Sequence, residues 1–168
     1  MRKDRKIQIE ENKKNFSIKS MYFNRYLLVR YIIALFFFTN IYWLISLLMS
    51  SSPLFFIPLS LMLILLSSVA EQIKILNNHT NQATNTKYCF KVLLITNVLL
   101  MFLSSFSTTF THLYPFLINQ MKSQILVLSI LAIEVLLSGI ILYRLHQIKN
   151  NEDRHYHRIK QYEEIMQT

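Results

Sequence analysis

Two stretches of this chain, residues 31–70 and 92–121, contain no Asp, Glu, Lys or Arg. A helix rising about 1.5 Å per residue crosses roughly 30 Å of hydrocarbon in about 20 residues, so apolar runs of this length call for a membrane. The first run, Leu27 to Ala70, would measure about 66 Å as one helix, roughly twice the hydrocarbon thickness, and has to fold back. Ser50-Ser51-Ser52-Pro53 supplies the break, with Pro53 suited to the first helical position and Ser52 placed to cap it. Helices are therefore expected over 27–49 and 53–73, with Pro58 one turn inside the second and loosening that end. The polar stretch Asn77 to Thr86 predicts a loop, a third helix follows over 88–113, Pro115 marks a turn, and a fourth helix spans 123–143. The expected fold is all-α, a polytopic four-transmembrane-helix bundle (27–143) between a basic juxtamembrane segment (1–26) and a charged tail (144–168).

Composition narrows the class further. A single Gly beside 12 Phe and 9 Tyr suits long uninterrupted helices and argues against a turn-rich β architecture. A membrane barrel would instead alternate over segments of about ten residues. A net charge of +9 would suggest nucleic acid in a soluble protein. Here the cations flank apolar spans and no base-stacking motif accompanies them, so the expected counter-surface is a bilayer with anionic headgroups and no nucleic acid.

Seventeen of the 18 Lys and Arg precede or open the first span, lie around the middle loop or follow the fourth span, leaving only Lys122 on the other side. Because cationic loops resist translocation, this bias predicts cytoplasmic termini in a bacterial-type inner cell membrane. Tyr22, Tyr26, Tyr31, Trp43, Tyr88, Tyr114 and Tyr143 all fall near expected helix ends, the headgroup level that amphipathic rings favour. The N-terminal region lacks the pattern of a cleavable signal peptide, so the first span is expected to remain as an anchor.

Glu134 is the one charged residue well inside an expected span. A carboxylate at mid-helix costs roughly 2.5 kcal/mol or more on insertion scales, so it should face protein or water. Measured along the helices, Asn97 lies about 9 Å from the cytoplasmic edge, Glu134 about 13 Å, and Ser104 and Asn40 about 19 Å. These four form a candidate intramembrane polar cluster. It has two readings, a proton or cation site and an interhelical hydrogen bond. The chain resembles small four-helix multidrug exporters in helix count, although those carry their carboxylate in the first helix. Asn97, Ser104, Thr108 and Thr111 succeed one another at helical spacings, so one continuous helix would present them on one packing face.

Other candidate chemistry is sparse. His79 and Cys89 in a small basic membrane protein resemble the pairing in peptidases that process quorum-sensing peptides, yet the glycines of that family's His region are missing here. His155 and His157 stand two apart and would point to different helix faces, and no cofactor or metal is implied. The single cysteine excludes an intramolecular disulfide.

In the tail, Leu145, Ile148, Glu152, His155, Ile159, Tyr162 and Met166 recur at spacings of three and four. That pattern predicts a solvated helix extending from the fourth span, or a docking surface over 145–166 for a protein partner or a second copy. The leading expectation is a non-enzymatic accessory or interaction protein, either a transport-system subunit or a self-protection protein, a general form shared with small bacteriocin-immunity membrane proteins. The alternative is an oligomeric carrier or channel using Glu134. A membrane peptidase using Cys89 and His79 is the remote third.

Overall fold

A computed structural model describes residues 23–78 and 82–167 and, before them, Lys13, Phe16, Ser17, Ser20 and Met21; the side chains of 77, 78 and 162–167 lie outside that description. Most of the basic segment and His79 therefore fall outside the described residues. The described chain is helical and has no strand: α1 (Leu27–Met49), a 3-10 turn (Pro53–Phe55), α2 (Phe56–Asn78), α3 (Thr84–Ser104), α4 (Ser107–Leu113), α5 (Met121–Lys149) and α6 (Arg154–Gln167). Four helical stretches are long and apolar enough to cross a membrane. Their outer faces carry large apolar side chains such as Phe38, Leu63, Ile95 and Leu136, the surface that lipid requires.

The first turn forms where the serines predict it. Ser51 takes a left-handed φ of 51°, and the Ser51 and Ser52 N–H groups close back on the Leu48 and Leu47 carbonyls at 3.0 and 3.1 Å. Ser52 accepts from Leu54 N–H at 3.4 Å, and Pro53 opens the 3-10 turn. Because the α-helix begins only at Phe56, Pro58 lies in its first turn, where its missing N–H breaks no helical bond. The loosening expected inside the second span takes the form of that 3-10 turn.

Two expectations need correction. The third helix does not run unbroken over 88–113: α3 starts at Thr84 and ends at Ser104, and Phe106 is extended (ψ 124°) before α4. Hydroxyl side chains crowd this break and compete for its carbonyls. Ser105 donates to Met101 O at 3.0 Å, and Thr109 donates to Phe106 O at 2.9 Å and also to Leu103 O. The face expected to carry Asn97, Ser104, Thr108 and Thr111 therefore ends at Ser104, and Thr108 is exposed.

Nor does the tail continue the fourth span. Asn151 adopts φ 57°, Glu152 N–H reaches back to Gln147 O at 3.0 Å, and Asp153 caps α6 by accepting from Tyr156 N–H at 3.2 Å. The seam from Leu145 to Met166 is thus split between two helices. Leu145, Ile148 and Ile159 are buried within the protein itself, and the Tyr162 and Met166 side chains lie outside the description.

Three polar junctions order the helices. At the α1 end of the molecule, here called the basic end, Arg25 and Asp153 form a fully buried ion pair. The Arg25 guanidinium donates to both Asp153 carboxylate oxygens at 2.6–3.0 Å, to Ile148 O at 2.9 Å and to Asn151 Oδ1 at 2.8 Å. Tyr156 lies 5.2 Å below it. Beside this pair, burial pushes the Tyr26 phenol up to about 12, so it stays neutral.

Glu71 on α2 caps α3 from outside, accepting from Asn85 N–H at 2.9 Å and from Thr86 N–H and hydroxyl at 2.6 and 2.7 Å. It supplies what Ala83, at the N-cap, has no side chain to provide. Ser68 and Gln72 add bonds to the same Thr86 oxygen at 3.1 and 3.0 Å. The third junction, in mid-membrane, is described below.

Apolar packing follows this frame. One core near the basic end draws Val29, Phe36, Leu65, Phe90, Leu93 and Ile141 from all four spans. A second core at the far end joins Leu100, Phe110, Tyr114, Val127 and Leu131. Helix α3 packs most extensively on α5, while α1 and α5 barely touch.

Removing Asp153 strips the buried Arg25 guanidinium of the carboxylate that accepts three of its hydrogen bonds. Asp153→Ala should cost about 3–5 kcal/mol, and the apolar pair Arg25→Met with Asp153→Leu should recover most of that loss. Thermal unfolding in detergent, with protease sensitivity across 154–160 as the local readout, checks both outcomes.

Candidate functional site

The two apolar cores are separated by a polar layer. Asn97 on α3 donates through Nδ2 to Glu134 Oε2 on α5 at 2.8 Å. Glu134 stands near the middle of the 29-residue α5, with about 20 Å of helix on either side. Both residues are buried, at 3% and 8% exposure. Their bond joins two antiparallel helices at the depth where a lone carboxylate would be least tolerated.

Beside this layer lies a cavity of about 360 Å³, lined by α1, α3, α5 and the chain that follows α4. Thr39, Asn40, Asn97 and Glu134 provide its polar surface, and Trp43, Tyr114, Leu126 and Ile130 are among its walls. Among its lining residues Tyr42, Phe116, Leu126 and Ile130 are exposed, so the cavity reaches the outer surface of the bundle. Below the polar layer the core of all four helices closes the way to the basic end. The cavity is a half-open pouch.

Each sequence candidate has a definite place. Asn97 and Glu134 bond directly, and Asn40 lines the same cavity while its amide donates to Phe36 O at 2.8 Å. Ser104 does not join them. It is fully buried two helical turns farther out, where its hydroxyl faces the Tyr114 phenol without a close hydrogen bond. Cys89 is 1% exposed inside the basic-end core, which leaves the thiol no path to a substrate. His79, its proposed partner, lies outside the described residues. Among the described residues no three His, Cys, Asp or Glu side chains converge on a metal position.

Three cavity residues escaped the sequence reading. Thr39 carried a signal, since it precedes Asn40 in an otherwise apolar run. Trp43 and Tyr114 were read only as interfacial anchors, whereas Tyr114 is 6% exposed and stacks on Trp43 with ring centroids 5.8 Å apart. Nothing local in the sequence marks that inward turn. It depends on the break at 105–106, which sends α4 back over the far-end core.

Replacing Asn97 with Leu should destabilise the protein by about 0.6–1.7 kcal/mol, the measured scale of interhelical bonds in membranes. Ser104→Ala, which removes a hydroxyl without a close hydrogen bond, should stay within about 0.5 kcal/mol. Unfolding titrations in detergent micelles measure both. Compared with models of protein families, with curated proteins and with solved structures, the chain matches none.

Proposed function

We propose that the protein is a non-enzymatic, multi-pass accessory protein of a bacterial-type cytoplasmic membrane, with cytoplasmic termini, that acts by binding a ligand inside the bilayer. The observation that carries this reading is the Glu134 pouch: one carboxylate lining an aromatic-walled, half-open cavity of about 360 Å³, with the four-helix apolar core packed on the basic-end side. Its volume falls within the usual range for small-molecule sites. A carboxylate among apolar walls selects a ligand with an amine or other cationic head and an apolar body, because such a group neutralises the buried charge while the walls cover the rest. Small lipophilic cations and the basic side chains of membrane-active peptides share that chemistry. The latter would suit a self-protection role.

The closed base favours a receptor over a conduit through a single chain. A carrier built as an oligomer around Glu134 is the second reading, supported by the position of that carboxylate in mid-membrane. The orientation rests on the charge bias, since Lys122, in the first turn of α5, is the one Lys or Arg at the far end.

Trp43 is the sole tryptophan and lines the pouch, so binding has a built-in optical readout. Tetraphenylphosphonium added to protein in lipid nanodiscs should change Trp43 emission saturably, and Glu134→Gln should weaken that response at least about tenfold, the scale of losing a charge-assisted contact. A saturation curve identical in the Gln variant would sink the proposal. For topology, Ser51→Cys and Lys122→Cys in a Cys89→Ser background should react with an impermeant thiol reagent on intact cells, and Gln82→Cys only after permeabilisation. Labelling of position 82 from outside would invert the assignment.

A further inference from the structure

A second cavity, of about 430 Å³, lies at the basic end between the first turns of α3 and the last turn of α5. Its lining includes Lys87, Lys91 and Lys149, with Tyr26, Tyr88 and Gln82 completing much of the wall. Lys87 and Lys91 are four apart on α3 and so share a face, while Lys149 approaches from α5. Three cations around one cavity repel each other unless an anion joins them.

The protein does not provide that anion among its described residues. No ion pair with a described carboxylate, the exposed Glu152 included, involves any of the three lysines; Asp153 is committed to Arg25, and Glu71 is occupied by the first backbone N–H groups of α3. The cavity also sits at a defined depth. The apolar run of α3 begins at Val92, directly after Lys91, and Tyr88 is 65% exposed beside it, an arrangement that belongs at headgroup level. Lysine stems of this length can run along the helix surface while their ammonium groups gather at one level.

We propose that this cavity is a binding site for the phosphate of an anionic phospholipid headgroup, held by Lys87, Lys91 and Lys149, with the acyl chains running down the apolar outer surface of the bundle. Basic pockets between spans at the membrane interface are the established setting for such headgroups. The shared chemistry is a phosphate, and the lipid is favoured over a free ion because the lysines stand where the apolar surface of α3 begins. The site is separate from the Glu134 pouch and does not depend on its role.

The test uses the full-length protein in nanodiscs made from equal parts phosphatidylglycerol and phosphatidylcholine, released into native mass spectrometry to count retained lipids. The wild-type protein should retain phosphatidylglycerol preferentially. Lys87→Gln, Lys91→Gln and Lys149→Gln should each reduce that preference about fivefold, whereas the three Lys→Arg variants and the distant Lys122→Gln should keep it. Equal retention of both lipids by the wild type, or an undiminished preference in the combined Gln variant, would overturn the proposal. A wild type without lipid preference whose Lys87, Lys91 and Lys149 resonances shift with millimolar inorganic phosphate would assign the pocket to a soluble anion and overturn the lipid reading.

Discussion

Within hydrocarbon an apolar side chain gains little by turning from lipid to protein, so the hydrophobic effect cannot decide which helix lies beside which. The few polar groups carry that decision, because each is costly unless another meets it at the right depth. The Asn97–Glu134 bond does this for α3 and α5 at mid-membrane, and Glu71 with Thr86 does it for α2 and α3 at the basic end. Arg25 and Asp153 then bring the start of α1 to the end of α5. Along the α1–α5 boundary, where the packing is sparse, a pouch lined by Thr39, Asn40 and Glu134 remains.

The spans themselves were legible in the sequence because hydropathy and length act on whole segments, and a few misjudged residues do not alter them. Ser51 to Pro53 was legible too, since serine capping and proline at a helix start are local effects. The break at Ser105 and Phe106 was not. Ser and Thr sit acceptably in a membrane helix, and only their joint competition for the Met101, Leu103 and Phe106 carbonyls stops this one. The tail misled for a different reason: its spacing of three and four continues across Asn150 and Asn151, although the chain does not. A periodic pattern records which faces are apolar, and a left-handed residue such as Asn151 leaves that record intact while changing direction.

The candidate site was half legible. Depth along each helix placed Asn97 and Glu134 within one turn of each other, and they do meet. Depth says nothing about rotation around the axis or about which helices stand apart. Ser104 therefore looked as eligible as Asn40, yet Asn40 lines the pouch and Ser104 does not. The Arg25–Asp153 pair had no sequence signal at all, since 128 positions separate its members.

That separation has a consequence for synthesis. Arg25 is made before the first span and Asp153 after the last, so this ion pair closes only when every crossing between them has been completed. A chain that stops early, or that threads an odd number of spans, leaves Arg25 and Asp153 without each other, on opposite sides of the membrane in the latter case. The pair thus joins the two flanks of the four-span bundle, and its closure marks a bundle whose crossings are all in place.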